Sequence, residues 1–218
     1  MISRDGEWVG YTVTRTETGG SAGTGDGFVI ATSGGAPRKV CADCQVYSWL
    51  DNGRRLFITS GTPAEAFLLD IETGSRSPIA SANSTVDRPM VSPDGRWISF
   101  STEEGDSFVS AFHPDTLSVD EERIQVIDGS AAERACGWSP DSRLLYVLLE
   151  TDGFRCLYAI PIDPVSGRPS GPPRAVYHFH DASLQWGSTG YGNAIAGGMF
   201  LSNLSEFTGN IWMTTIQP

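Results

Sequence analysis

Four segments of this 218-residue chain copy one pattern, a polar turn followed at once by a short apolar run. The clearest copy is Val91-Ser-Pro-Asp-Gly-Arg-Trp-Ile-Ser-Phe100. The others read Ile2-Ser-Arg-Asp-Gly-Glu-Trp-Val-Gly-Tyr11, Trp49-Leu-Asp-Asn-Gly-Arg-Arg-Leu-Phe-Ile58 and Trp138-Ser-Pro-Asp-Ser-Arg-Leu-Leu-Tyr-Val147. Gly6, Gly53, Gly95 and Ser142 hold the same register, at spacings of 47 (53 minus 6), 42 (95 minus 53) and 47 (142 minus 95). The turn has a local cause: proline presets φ, aspartate accepts from nearby amides, and glycine supplies a positive φ without a Cβ clash.

A strand-borne period in this range is that of a propeller blade, a four-stranded antiparallel meander. The expected fold is therefore all-β: a single β-propeller domain over 1–218, with about five blades near 1–44, 45–86, 87–132, 133–182 and 183–218. Blade three places strands at 88–92, 97–102, 107–113 and 123–128. Blade two places them at 45–50, 55–59, 66–70 and 77–80, and blade four at 135–139, 144–150, 156–162 and 174–179. Blade one offers 8–14, 27–32 and 37–41 with a vestigial inner strand. Blade five offers 184–188, 194–203 and 210–216 and lacks an outer one. The 25 glycines and 13 prolines cluster between apolar runs, and no stretch holds a 3.6-residue period, so helix is expected to be close to absent. The two incomplete blades either complete one another or leave an incomplete ring. The second reading makes the chain the C-terminal part of a longer protein, and its unpaired edges are then expected to drive homo-oligomer formation.

A formal charge of -11 argues against nucleic acid as a partner, because a phosphate backbone is repelled and Arg54-Arg55 is too small a basic patch to reverse the field. No apolar run reaches bilayer length, so direct membrane insertion is not expected, and residues 1–20 lack an export signal. Of four cysteines, Cys41 and Cys44 are spaced as a thiol pair, a local disulfide or half a zinc site. Cys136 and Cys156 fall on the first and third strands of one blade, too far apart to bond.

The Ser-Pro-Asp-Gly turn with its aromatic-aliphatic strand resembles the repeat of TolB-type, WD40-like β-propellers over nearly the whole chain. Gly137 to Tyr146, Asp152 to Tyr158, Asp163 to His180 and Leu204 to Trp212 are similar to the ending of propellers fused behind bacterial serine/threonine kinases or winged-helix regulators. Cys41-Ala-Asp-Cys44 resembles that group too. The resemblance implies a sensory or protein-binding module, periplasmic or extracytoplasmic when its parent protein is membrane-tethered, with a cytoplasmic location as the alternative. The chain departs from the repeat at Arg4 in place of Pro, Asn52 in place of Asp and Ser142 in place of Gly, which is expected to weaken those turns.

Catalytic chemistry finds little footing. No Gly-x-Ser-x-Gly elbow is present, no two carboxylates are set across a cleft, and no cofactor is expected. Asp26-Gly27, Asp106 and Asp152-Gly153 are read as hairpin loops without the full ligand spacing of a calcium site. His178, His180 and Asp181 form the one candidate metal constellation, since i and i+2 share a strand face. That motif supports an alternative function, a metal-assisted lyase or hydrolase working in the propeller channel. The leading expectation is a non-catalytic module binding a protein or peptide, with Trp49 and Trp138 on inner strands as the channel candidates. The other tryptophans are expected to pack between blades.

Overall fold

The serine and aspartate of the repeated turn explain why each copy becomes a hairpin. In a computed structural model, which describes residues 1–14, 25–61, 65–81, 87–101, 106–127, 132–150, 154–178, 184–186, 194–196, 199–201 and 204–206, three turns share one network. Ser3, Ser92 and Ser139 each donate Oγ–H to Asp5, Asp94 and Asp141 at 2.5, 2.6 and 2.6 Å. The same oxygens accept the backbone N–H that opens the next strand, from Trp8, Trp97 and Leu144 at 2.9, 3.0 and 2.8 Å. Gly6, Gly53, Gly95 and Ser142 close the turns with φ of 75°, 77°, 78° and 61°.

The second turn solves the same problem differently. Leu50 stands where the serine would be, and Asp51, in the proline position, accepts from the Arg54 and Arg55 amides at 3.0 and 2.8 Å. Its second oxygen holds the Arg55 guanidinium at 2.7 Å, so the carboxylate moves back one residue and Asn52 is not needed for it.

Four blades result. The first contains β1 (Trp8–Thr14), β2 (Gly25–Ala31) and β3 (Arg38–Cys41). In place of a full inner strand, Ile2 bridges Val9. The second is the meander β4 (Cys44–Trp49), β5 (Arg55–Ser60), β6 (Glu65–Asp70) and β7 (Arg76–Pro78). Next come β8 (Ala80–Ser81), β9 (Asp87–Val91), β10 (Trp97–Ser101), β11 (Ser107–His113), β12 (Ser118–Val119) and β13 (Ile124–Ile127). Of these, β9, β10, β11 and β13 form the third blade, while β12 pairs in parallel with β8 and ties the rims of the second and third blades. The fourth is β14 (Ala132–Trp138), β15 (Leu144–Glu150), β16 (Arg155–Pro161) and β17 (Arg174–Tyr177). No described residue is helical, and none of the described residues forms a helix long and apolar enough to cross a membrane.

Among the described residues four blades form, where about five were expected. Beyond the fourth, β18 (Leu184–Trp186) pairs with β21 (Leu204–Glu206), and β19 (Ala194–Ala196) pairs with β20 (Met199–Leu201). A single strand was expected over 194–203. Ala196 pairs instead with Met199, and the two residues between them are both glycine, the composition of a two-residue hairpin connection. The strand expected at 210–216 lies outside the described residues. Asp26 and Gly27 are also not loop residues: they lie in β2 opposite Val13 and Thr12, and Asp26 pairs with Lys39 at 2.8 Å.

Strand alternation divides the core into layers between blades. On β5, Leu56 and Ile58 join Val29, Cys41 and Trp49 between blades one and two, while Phe57 between them joins Val91, Ile98 and Phe112 between blades two and three. Leu145, Val147 and Leu149 of β15 join Trp97, Val109 and Trp138 between blades three and four. Leu148 on the opposite face meets Cys136, Leu157 and Phe200. Trp8 and Trp97 pack where no side chain fits: a Cβ at Gly53 or Gly167 would lie 2.3 or 2.4 Å from those indoles.

The departures at Arg4 and Ser142, expected to weaken their turns, instead join turns to one another. Ser142 Oγ accepts the Asp94 amide at 3.0 Å, and Arg4 donates to the Ser92 and Pro93 carbonyls at 2.9 and 2.8 Å. Ser142→Ala keeps the left-handed backbone and loses that tie, so it is expected to destabilise by about 1 kcal/mol, whereas Ser142→Gly relieves the backbone and stays near neutral. Ser92→Ala removes a donor and an acceptor at a fully buried site and is expected to cost about 1–3 kcal/mol. Urea titrations of the three variants check both expectations.

Acid sensitivity follows from the aspartates of these turns and of the β6–β7 and β16–β17 connections. Asp70 is held down to about 2 by the Thr73 amide and then the Arg54 guanidinium. The Ser3 hydroxyl lowers Asp5, the Ser139 hydroxyl lowers Asp141, and the Ser166 amide lowers Asp163. For Asp94, burial acts upward, but the Ser92 hydroxyl and Arg96 outweigh it. Carboxyls lowered in the folded state contribute stability above their unfolded value of 3.8 and lose it as pH falls through the folded values. Tm measured by circular dichroism should be flat above about pH 5 and fall steadily from about pH 4 to pH 2.

Candidate functional site

Each complete inner strand carries an irregularity at the same repeat position. Tyr47 is bulged out of the β4–β5 ladder and Cys136 out of β14–β15. Arg88 and Pro89 together oppose Phe100 between β9 and β10, with Arg88 at φ 54°. Tyr47, Pro89 and Cys136 all stand six residues before the turn residue (53 minus 47, 95 minus 89, 142 minus 136). A bulge bends its strand and re-aims the following side chains.

The bulged segments surround a cavity of about 110 Å³. Its walls are Tyr47, Ser48 and Trp49 from the second blade, Met90 and Val91 from the third, Cys136, Gly137 and Trp138 from the fourth, and Met1 and Ile2 from the first. Arg4 and Pro93, each two residues before its turn glycine, border it from the turns. Equivalent repeat positions thus converge on one axis. Ile195 of β19 also reaches the cavity and packs against Gly137, where a Cβ would lie 3.3 Å from it.

Both tryptophans singled out from the sequence, Trp49 and Trp138, line this cavity. They are 5% and 6% exposed, and their N–H groups are committed to the preceding blade: Trp49 Nε1 donates to the Met1 carbonyl and Trp138 Nε1 to the Met90 carbonyl, both at 3.1 Å. Ser48 Oγ donates to the Pro89 carbonyl at 2.6 Å and joins blades two and three. The indoles therefore offer a cavity-facing contact apolar surface, with their polar edges already satisfied.

Arg4 is an exposed residue whose guanidinium nitrogens are partly covered by the carbonyls they hold. Burial lowers its pKa, and Asp51 and Asp94 act in the opposite direction. It stays cationic, as guanidinium does in proteins, and its two hydrogen bonds run from the first blade to the third.

Cys41 and Cys44 form a disulfide at the joint between β3 and β4. It fills the space over Gly27, where a Cβ would lie 2.5 and 2.9 Å from the two sulfurs. The bridge is not part of the cavity lining. Cys136 and Cys156 are buried thiols on β14 and β16 with β15 between them, as the strand placement requires.

His178 is not among the residues that line the cavity. His178 follows β17, the outermost strand, is exposed, and sets its ring edge-on to Tyr158 at 6.0 Å. His180 and Asp181 lie outside the described residues. His113 pairs with Asp120 at 2.8 Å within the third blade. Among the described residues no three His, Cys, Asp or Glu side chains are grouped to hold a metal.

Arg4, Tyr47, Ser48 and Cys136 were not singled out as site residues, although the register contains them. Counting back from the turn glycine in every repeat marks the positions that line the axis.

No protein-family profile matches the chain, and no curated protein matches it. Solved structures do. TolB from Acinetobacter baumannii aligns with a TM-score of 0.60 at 16% identity, over 94% of this chain and 51% of that one. An Agrobacterium tumefaciens protein assigned as TolB aligns at 0.53 and 21% identity, over 81% and 63%. Hydrazine synthase from Kuenenia stuttgartiensis aligns at 0.52 and 16%, over 84% and 49%. The chain is an all-β, TolB-like β-propeller, and it spans about half the length of the Acinetobacter TolB it matches. At these identities the likeness establishes the fold alone.

Trp138→Phe keeps one aromatic ring but removes the N–H and the pyrrole half of the indole, so it is expected to cost about 1–3 kcal/mol; Trp138→Ala empties a site between blades and is expected to cost about 3–5 kcal/mol. Chemical denaturation of the two variants separates the strut from the packing.

Proposed function

We propose that this chain is a non-catalytic binding module that receives an apolar side chain of a protein or peptide ligand at the axial cavity. The observation that carries the reading is the convergence of bulged inner strands on a cavity walled by Tyr47, Trp49, Met90 and Trp138. Its size suits one side chain: cavities for drug-sized ligands and cofactors run to about 300–1,000 Å³. The TolB-like fold is compatible with protein binding, and a fold by itself does not set function.

The metal-dependent enzyme reading has less support, because His178 stands at the rim and not on the axis. An extracytoplasmic location is part of the proposal, supported by the Cys41–Cys44 disulfide, since such bonds persist in oxidising compartments. So is self-association through the outward face of the first blade, where Tyr11 stacks on Phe28 at 5.7 Å and Val13 is 48% exposed. Sedimentation velocity at micromolar concentration should show a dimer or larger species, and a monomer at all concentrations removes that part.

Selection of peptides from a displayed library, followed by NMR titration of the labelled chain, tests the main reading. Shifts are expected at the Trp49 and Trp138 indoles and at Tyr47, with ligands sharing one large apolar residue. Shifts confined to the rim, or stoichiometric metal in the purified protein with loss of binding on chelation, would overturn it.

A further inference from the structure

We infer that Arg4 is a latch that closes the turn-side mouth of the axial cavity. The inference rests on the cavity's geometry and deepens the binding proposal by assigning a gate to it. At the repeat position of Arg4, the third and fourth blades carry Pro93 and Pro140, and the second carries Asp51. Arg4 is thus the one long basic side chain among the four equivalent turn positions. It borders the cavity together with Pro93. Instead of reaching the adjacent second blade, its guanidinium runs to the third, where two of its nitrogens hold the successive carbonyls of Ser92 and Pro93 at 2.9 and 2.8 Å.

The two Arg4 hydrogen bonds thus join the first turn to the third and skip the second blade, beside the cavity that Arg4 and Pro93 border. Asp51 on that blade and Asp94 on the third attract the same guanidinium, so the bar is held by charge from both sides. Ser142, through the Asp94 amide, closes the neighbouring gap between blades three and four. The carbonyls that Arg4 holds belong to the third blade's own turn, and Ser92 also accepts Gly95 N–H at 2.8 Å and is fixed without it. Arg4 is therefore the movable member of the contact. An apolar group enters from the turn side only when Arg4 releases both carbonyls.

Hydroxyl-radical footprinting of the full chain, read residue by residue by mass spectrometry, tests the latch without any ligand. The variants are Arg4→Pro, which restores the residue of the third and fourth turns, and Arg4→Ala. Opening the mouth should raise oxidation of Trp49, Trp138 and Met90 severalfold, because radical attack follows solvent access and these side chains are only 5%, 6% and 9% exposed. Trp97, equally buried but outside the cavity lining, should keep its wild-type rate. Arg4→Lys, which keeps the charge without the fork, should fall between. Unchanged rates at Trp49, Trp138 and Met90 in both variants overturn the inference. So does a matching rise at Trp97, which would mean general loosening of the blades. A ligand-free readout keeps failure here distinct from failure of the binding proposal.

Discussion

A serine hydroxyl that donates a hydrogen bond to an aspartate and accepts one from the amide of the next strand underlies most of this structure. Ser3, Ser92 and Ser139 are 0%, 0% and 4% exposed, so their hydroxyls require partners, and the turn supplies one on each side. The consequence is geometric: the inner strand and its neighbour leave the turn at a set angle and register. The alternating apolar residues of the second strand then point to the blade before and the blade after. Stacking of blades, and the axis they enclose, follow from that angle.

Repetition and departure divide the labour. The repeated positions build walls: bulges at Tyr47, Pro89 and Cys136 and the side chains after them bring equivalent residues to one line. A perfect repeat would place equal contacts between every neighbouring pair of blades and nothing across the axis. The contact that skips a blade comes from a residue that breaks the pattern, Arg4, and the tie between the third and fourth turns comes from another, Ser142. Similarly, Asp51 takes over from the missing serine and the displaced aspartate in the second turn, so a turn lacking two of its usual residues keeps its shape.

Much of the architecture was legible because its signals are local. Glycine register marked the turns, and strand boundaries in the second, third and fourth blades fell within a few residues of those read from alternation, since a two-residue period survives degraded repeats. Trp49 and Trp138 were placed at the axis by the same register. What escaped depends on non-local pairing. Asp26-Gly27 has the composition of a turn, yet Gly27 lies in β2 paired with Thr12 and Cys41, and it is glycine where the disulfide over it leaves no room for a side chain. The stretch 194–203 read as a single strand, yet Ala196 and Met199 pair across two glycines. Arg4 was read as a defect in its own turn, because the carbonyls that use it lie 88 and 89 residues away.

The disulfide shows how a small covalent feature serves this division. Cys41 ends the outermost strand of one blade and Cys44 begins the inner strand of the next, so the chain must turn from rim to axis within the residues between them. Asp43 takes a φ of 47° there, an uncommon conformation for a residue with a side chain. A cross-link over Gly27 holds that turn against the first blade's second strand, and the inner strand that follows enters its bulge at Tyr47 from a fixed start. Along the other described inner strands the walls depend on hydrogen bonds and packing. At this joint, the strand carrying Tyr47, Ser48 and Trp49 to the axis is anchored by a bond that thermal motion does not break.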